Sequence, residues 1–420
     1  MANLGQLRVA EVSACSEVRL YRQNGPERFW RLLLDPAPAP AEWDAAVRAA
    51  APLLPREAQA ADIETLLCNT LGEGQFGPNH WRLDPLKRAY YGMKPILPRR
   101  LSSSLRRMHR SLAERSFRLG WPIEPRYASF QWEVVDQLLQ ARSQSAVSHI
   151  HFWPQGRPFA FALTHDVETA EGQAFVRTVA DLDASYGFRS SFNFVAEDYP
   201  LDKDLIDELR ERGFEIGLHG LRHNGKTFRS HTDFLRQAKR INHHLRSLKA
   251  VGFRTPLTHR HPGWMQALDI EYDLSFFDTD PYEPLPGGTM SLWPFVLGRF
   301  VELPYTLVQD HTLAAVLRET TPRLWLEKVD FIRKYSGLAL VISHPDYLRD
   351  PQTWRIYVDF LRAMRNAGDF WHALPRDVAQ WWRQRAAAPS IAALDGAVER
   401  TIDISEASAA GSFANAAQMA

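Results

Sequence analysis

Seven side chains of ligand or acid–base type stand where short apolar runs stop. Asp166 and Glu168 follow Phe159 to Leu163. His219 follows Phe214 to Leu218, and His223 comes four residues later. Arg254 follows Val251 to Phe253, Asp278 follows Phe276 and Phe277, and His344 follows Leu338 to Ser343. Two imidazoles four residues apart on a helical turn lie on one face and can reach one cation. Carboxylates at i and i+2 on a strand end point the same way, so one can ligate a metal and the other act as general base. The same acid pair also fits the first turn of a helix, where negative charge is favoured. Arg254, stiffened by Pro256, can hold a carboxylate with two parallel hydrogen bonds. A lone His344 beyond a buried strand suits either a structural or a catalytic role. Trp264, Phe276, Phe277, Tyr282 and Trp293 can stack on sugar faces or fill a core. Gly220 to Thr227 also satisfies the G-x-x-x-x-G-K-[ST] pattern of a phosphate-binding loop, although Leu, Arg and His are bulky inside such a loop.

These groups need a scaffold that brings distant strand ends together. From 151 to 385 the chain alternates short β-rich runs with helical stretches, as βαβ units do. Strands are predicted at 159–163, 191–195, 214–218, 251–253, 272–276, 299–303, 338–342 and 370–373. Helices are predicted at 175–186, 203–212 and 232–248. A parallel barrel or an open doubly wound sheet fits this repeat. In barrels, active sites form at the carboxyl ends of the strands. Residues 1–150 are harder to read, with one or two short strands expected between Leu7 and Leu34 and a helix over 42–50. Lys94 to Arg118 carries eight cations and a single acid, with apolar residues at helical spacing. It reads as a solvated basic helix, or as a surface for anionic lipid or an acidic glycan. The alanine-rich stretch 386–420 has no apolar period and is expected to be disordered.

Fifty basic against 49 acidic residues give a net charge of +1, which argues against a protein that coats nucleic acid. Two cysteines exclude a disulfide-built scaffold and a cysteine-rich zinc module. No apolar run in the second half approaches the ~20 residues that span a bilayer. The first residues lack the basic start and apolar core of a secretory signal, so a cytoplasmic location is the expectation.

Taken in order, Thr164-His-Asp-Val-Glu168, His219 with His223, Arg254 with Pro256, Asp278 after an aromatic run, and His344 resemble the five motifs of the polysaccharide deacetylase family. This is the NodB homology domain group, carbohydrate esterase family 4. The resemblance covers about 157–385. The segments 278–284, 302–306 and 309–312 also look like a bacterial subgroup of deacetylase-like proteins.

The resemblance implies an α/β fold, a distorted (β/α) barrel with an N-terminal extension over 1–150 and a tail over 386–420. It implies a divalent cation, most often zinc, held by Glu168, His219 and His223. Asp166 then serves as base, Arg254 orients it, His344 acts as acid, Asp278 completes the catalytic set, and Pro256 and Trp264 meet the substrate. The implied reaction is hydrolysis of an N-acyl group, typically acetyl, from a sugar or polysaccharide. In the family's usual first motif two aspartates are adjacent, whereas here Val167 intervenes, so Asp166 and Glu168 can exchange roles. A metal-independent C–N hydrolase of the same superfamily, a non-catalytic glycan-binding protein and a phosphate-loop NTPase using Lys226 are the other readings.

Overall fold

A computed structural model describes residues 17–83 and 116–405. Eleven strands are present among them: β1 (Ala146–Ile150), β2 (Ala160–Val167), β3 (Ser190–Phe194), β4 (Glu215–Leu218), β5 (Gly252–Phe253), β6 (Tyr272–Asp273), β7 (Phe295–Leu297), β8 (Phe300–Glu302), β9 (Leu338–Ser343), β10 (Trp371–His372) and β11 (Glu399–Asp403). The α-helices are α1 (Pro26–Trp30), α2 (Pro40–Ala50), α3 (Ile63–Thr70), α4 (Arg126–Ala141), α5 (Ala170–Ser185), α6 (Lys203–Glu211), α7 (His231–Ser247), α8 (Pro262–Met265), α9 (Arg323–Lys334), α10 (Pro345–Leu348), α11 (Pro351–Ala367) and α12 (Pro375–Ala387).

Apolar runs without alternation become strands covered on both faces. Every residue of β2 and β9 is buried, and the two strands pair in parallel. On its other edge β2 pairs with β3, and β4, β5, β6 and β8 follow in parallel. Beyond β8 the chain pairs Tyr305 with Phe277 and then Leu307 with Val341 of β9. The curled sheet therefore closes on itself as a distorted (β/α) barrel. β10 wedges against the first residues of β2, and β7 forms an antiparallel hairpin with β8. The crossover helices begin at side-chain caps: Thr169 for α5, Asp202 for α6, Ser230 for α7 and Asp350 for α11. Thr169, Asp202 and Ser230 follow a strand and its loop, and Asp350 follows the short helix α10.

The strands and helices predicted from 159 onward are present with ends shifted by up to five residues, while β7, β11 and the helices α8 to α12 are additions. Two expectations change. Residues 18–24 form helical turns, not strands, and the nearest ladder contact is a bridge between Leu32 and His149. The described residues before 151 share one apolar core with the barrel, which runs from Trp30 and Trp132 through Phe152, Trp293 and Trp382. The stretch after 386 is not structureless throughout. β11 pairs antiparallel with β1, burying Ile402, while residues 406–420 lie outside the described residues. Most of the basic 94–118 segment also lies outside them. Cys68 is buried and disulfide-bonded, and the chain's other cysteine, Cys15, is outside the described residues.

Arg385 on α12 fastens this junction. It is buried and donates to the carbonyls of Phe29, Trp30, Ile150 and His151. Burial and Arg31 lower its pKa to about 9. His149 and His151 lie beside it. Burial pushes His149 well below the ordinary imidazole value, and Arg385, His151 and Arg400 push the same way. Burial brings His151 to about 4 against a hydrogen bond to the Arg157 carbonyl, with Arg400 and Arg385 adding to the fall. Both rings are neutral in the fold, so protons bind the unfolded chain first. Stability is then complete above about pH 6.5 and falls as the pH drops toward 4. We expect denaturant unfolding at pH 5 to show a loss of about 2 kcal/mol per histidine relative to pH 7. His149→Phe should lose about 2 kcal/mol less than the wild type over this range, and equal losses in both proteins would exclude this origin.

Candidate active site

The pleat of β2 sorts its last residues. Thr164, Asp166 and Glu168 share one side, and His165 takes the other. The His165 ring bridges Ser343 Oγ at 2.7 Å and Asp183 Oδ2 at 2.9 Å, and Asp183 also accepts from Ser190 and Tyr357. That buried network fixes β2 against α5, β3, β9 and α11 beneath the mouth. On the mouth side, Arg254 stands one residue past β5. Its Nη1 donates to Asp166 Oδ1 at 2.8 Å and to Thr164 Oγ1 at 3.0 Å, and its Nε donates to the Leu274 carbonyl at 2.9 Å. Asn193 on β3 also donates to Asp166 Oδ1, at 2.9 Å. Burial raises the Asp166 pKa, but the Arg254 guanidinium, with His219 and His344, outweighs it and holds the carboxyl at about 2.

His219 is the first residue past β4. Its Nδ1 lies 3.2 Å from the Arg254 carbonyl, which makes Nδ1 the protonated nitrogen and leaves a lone pair on Nε2. Nε2 is buried and has no hydrogen-bond partner among the described residues. The chain then reverses through Gly220, whose φ of 68° suits glycine and whose missing Cβ would stand 2.6 Å from Pro256 Cδ. The two imidazoles are therefore brought together by a tight turn, not by the helical turn expected from their spacing. Their ring centroids are 5.4 Å apart. The turn is held from outside, where His223 N donates to Asp198 at 2.7 Å.

Glu168 completes the group. Its Oε1 is 3.0 Å from His223 Nε2, 4.0 Å from His219 Nε2 and 3.7 Å from His344 Nε2. One donor atom from each of Glu168, His219 and His223 falls within 4.8 Å of the others. Two imidazoles and one carboxylate form the donor set of a catalytic zinc site with an open position. The orphaned His219 Nε2 and the carbonyl that fixes its tautomer fit a bound cation as well. Burial raises the Glu168 pKa, but His223, His344 and His219 hold the group well below the usual carboxylate range.

His344 precedes α10 and faces Glu168. Asp310 grips it twice, accepting from the ring Nδ1 at 2.7 Å and from the backbone N at 2.8 Å. Burial lowers the His344 pKa, yet Asp310, with Glu168 and Asp166, raises it to about 10. Two residues on, Asp346 reaches back to β2. It accepts from Glu168 N at 3.3 Å and from the Thr169 hydroxyl. A Cβ on Gly172 would meet the Asp346 carboxylate at 2.2 Å, so this approach requires glycine there. One turn thus carries the His344 imidazole and the clamp on Glu168.

Six of the residues read from the sequence converge: Asp166, Glu168, His219, His223, Arg254 and His344. Asp278 does not join them. It is buried against Lys328 and accepts from its ammonium, and burial raises its pKa to about 6 against that cation. The aromatic run before it pointed to a strand end, but the chain there bends away toward α9. Pro256 lies under the Gly220 turn. Trp264 packs in an aromatic stack with His261 at 4.4 Å, Trp81 and Phe228. The phosphate-loop reading fails on geometry. Gly220 to Thr227 is a series of turns, and α7 begins only at His231, so no helix N-terminus follows Lys226 directly. Sequence reasoning missed Asn193, Asp310 and Asp346. Asp310 lies inside the 309–312 segment singled out above, where only its neighbourhood drew notice.

No family model matches the chain, and no curated protein matches it. Among solved structures the chain is similar to a probable polysaccharide deacetylase from Pseudomonas aeruginosa PAO1, at 14% identity over 57% of this chain and 94% of the other, with a TM-score of 0.46. It is similar to Puue allantoinase at 13% identity over 57% and 94%, with a TM-score of 0.44. It is also similar to the peptidoglycan deacetylase PdaC from Bacillus subtilis at 13% identity over 55% and 94%, with a TM-score of 0.35.

Zinc should raise the melting temperature of the metal-free chain, by about 2.7 kcal/mol of stabilisation at a hundredfold excess over Kd. His219→Ala and Glu168→Ala should abolish that shift. Asp346→Ala and Gly172→Ala, neither of which removes a donor atom, should weaken zinc binding about tenfold in a competition titration.

Proposed function

We propose that this chain is a metal-dependent hydrolase that removes an N-acyl group, acetyl in the simplest case, from a sugar or polysaccharide. The observation that carries the reading is the meeting of three different chemical sets at one mouth. These are the Glu168–His219–His223 donors, the Arg254-bound Asp166, and the Asp310-bound His344. A general base, a cation site and a general acid are what amide hydrolysis by water requires.

Glu168, His219 and His223 would hold the cation, zinc being the best match for this donor set. When bound, such a cation polarises the acyl carbonyl and lowers the pKa of a water molecule. Asp166 takes the proton of the attacking water. Arg254 and Asn193 keep that carboxylate ionised and aimed, and Thr164 fixes the guanidinium in turn. His344, protonated through its bond to Asp310, gives a proton to the leaving nitrogen. Asp310 holds both the ring and the backbone of that histidine, so the acid does not have to be oriented during the reaction.

The partner is an acylated carbohydrate. No helix among the described residues is long and apolar enough to cross a membrane. The disulfide at Cys68 fits an oxidising compartment better than the cytoplasm expected from the sequence.

Acetate release from N-acetylated oligosaccharides should require added zinc and stop with a chelator. Asp166→Asn should lower kcat by roughly 10²–10⁴-fold, and His344→Ala by a similar factor. Asp310→Asn should reduce kcat by about tenfold or more with KM little changed, since the acid is then left unoriented. Acetate release that survives His219→Ala and Asp166→Asn together would overturn the assignment.

A further inference from the structure

The two flanks of His344 differ. Toward the loop between β6 and β7 the packing is solid. Glu283 accepts from Tyr305 Oη at 2.8 Å, from Thr258 Oγ1 at 2.7 Å and from Gln309. Asp280 accepts from Tyr282 N at 2.7 Å and from the same Tyr305 hydroxyl at 3.2 Å. Behind them Arg260 lies over the rings of Phe276 and Phe277 and is gripped by both carboxylate oxygens of Glu73. Asp280, Glu283, Tyr305, Arg260 and Glu73 are all buried, so this flank offers packed polar pairs and no exposed side chain of its own among them.

On the opposite flank the described side chains are partly exposed. The side chains of His223 and Glu168 are 21% and 16% exposed, His311 is half-buried, and Tyr347 is 37% exposed. Tyr347 is the one aromatic among the exposed large apolar side chains of the described residues. Its place is fixed by the same turn that carries the acid. Tyr347 N donates to the His344 carbonyl at 2.9 Å. The Tyr347 ring stands edge-to-face against His344 at 5.1 Å and lies 4.8 Å from His311. A large ring held in place by two neighbours presents apolar area with little conformational entropy to lose on binding, which is what the apolar face of a pyranose needs.

We propose that Tyr347, flanked by His311, is the platform on which the sugar next to the acylated one stacks. The substrate is then an oligosaccharide that leaves the mouth over α10, and not a small acylated amine. This rests on reading the same mouth as a carbohydrate deacylase.

The test uses the full chain, zinc-loaded, with N-acetylated chitooligosaccharides of two to five units as the probe. Binding is measured by calorimetry and turnover by acetate release. Kd and KM of the wild-type chain should fall as the second unit is added. Tyr347→Ala should raise both about tenfold for the longer oligomers while kcat stays within about twofold. Tyr347→Phe and Tyr347→Trp should bind like the wild type. Unchanged Kd in Tyr347→Ala overturns the platform, as does a fall in kcat at constant KM, which would make Tyr347 a support for His344. Absence of saturable oligomer binding by the wild-type chain also overturns it. Oligomer binding that depends on Tyr347 without acetate release supports the platform and removes the deacylase reading. Acetate release with a KM indifferent to Tyr347 does the reverse.

Discussion

One buried guanidinium determines how the mouth of this barrel is laid out. Arg254 reaches the end of β2 through Asp166 and Thr164 and the chain past β6 through the Leu274 carbonyl. It lends its own carbonyl to the ring of His219 past β4. Strand ends that are far apart in sequence are tied at one residue with no exposure to water. A buried ion pair of this kind adds little net stability over an apolar filling, while loss of one partner strands a charge in a low-dielectric interior. Its contribution is therefore positional. It fixes which oxygen of Asp166 is occupied, while the carbonyl of the same residue fixes which nitrogen of His219 keeps its lone pair.

The rest of the mouth is arranged around that constraint. The turn after β9 supplies both an imidazole and, through Asp346, the clamp on Glu168, so these groups cannot drift independently. Asp310 closes the turn from the segment past β8. The region before the barrel takes part as well. Glu73, with a left-handed φ of 57°, pairs with Arg260 in the loop past β5, and both are buried. Residues 17–83 thus share the barrel's apolar core and are tied to its loops through Glu73.

What the sequence made legible follows from how local each signal is. Buried parallel strands are continuous apolar runs, so β2, β4 and β9 announce themselves, and a polar residue directly past such a run is a residue of the mouth. That logic found Asp166, Glu168, His219, Arg254 and His344. It failed at Asp278, because an aromatic run that reads as a strand end continues into a bend secured by Lys328. Asp310 escaped because it belongs to an irregular stretch between β8 and α9, where no periodicity marks the direction of a side chain. Asn193 lies inside β3 and not past its end, so a search for polar residues beyond apolar runs passes over it. The spacing of His219 and His223 implied a helix, yet Gly220 was the informative residue. Its left-handed backbone lets the chain double back against Pro256. The pairing of β1 with β11 links segments with no local pattern in common, and only the folded chain reveals it.

That last pairing bears on how the protein is made. β1 emerges from the ribosome before any barrel strand, and its hydrogen-bonding partner is nearly the last described segment to be synthesised. Arg385, which satisfies four carbonyls around β1, arrives almost as late. The nascent amino-terminal part must hold an unpaired edge and unsatisfied backbone groups through translation of the whole barrel, the condition in which newly made chains are most exposed to aggregation and most dependent on chaperones.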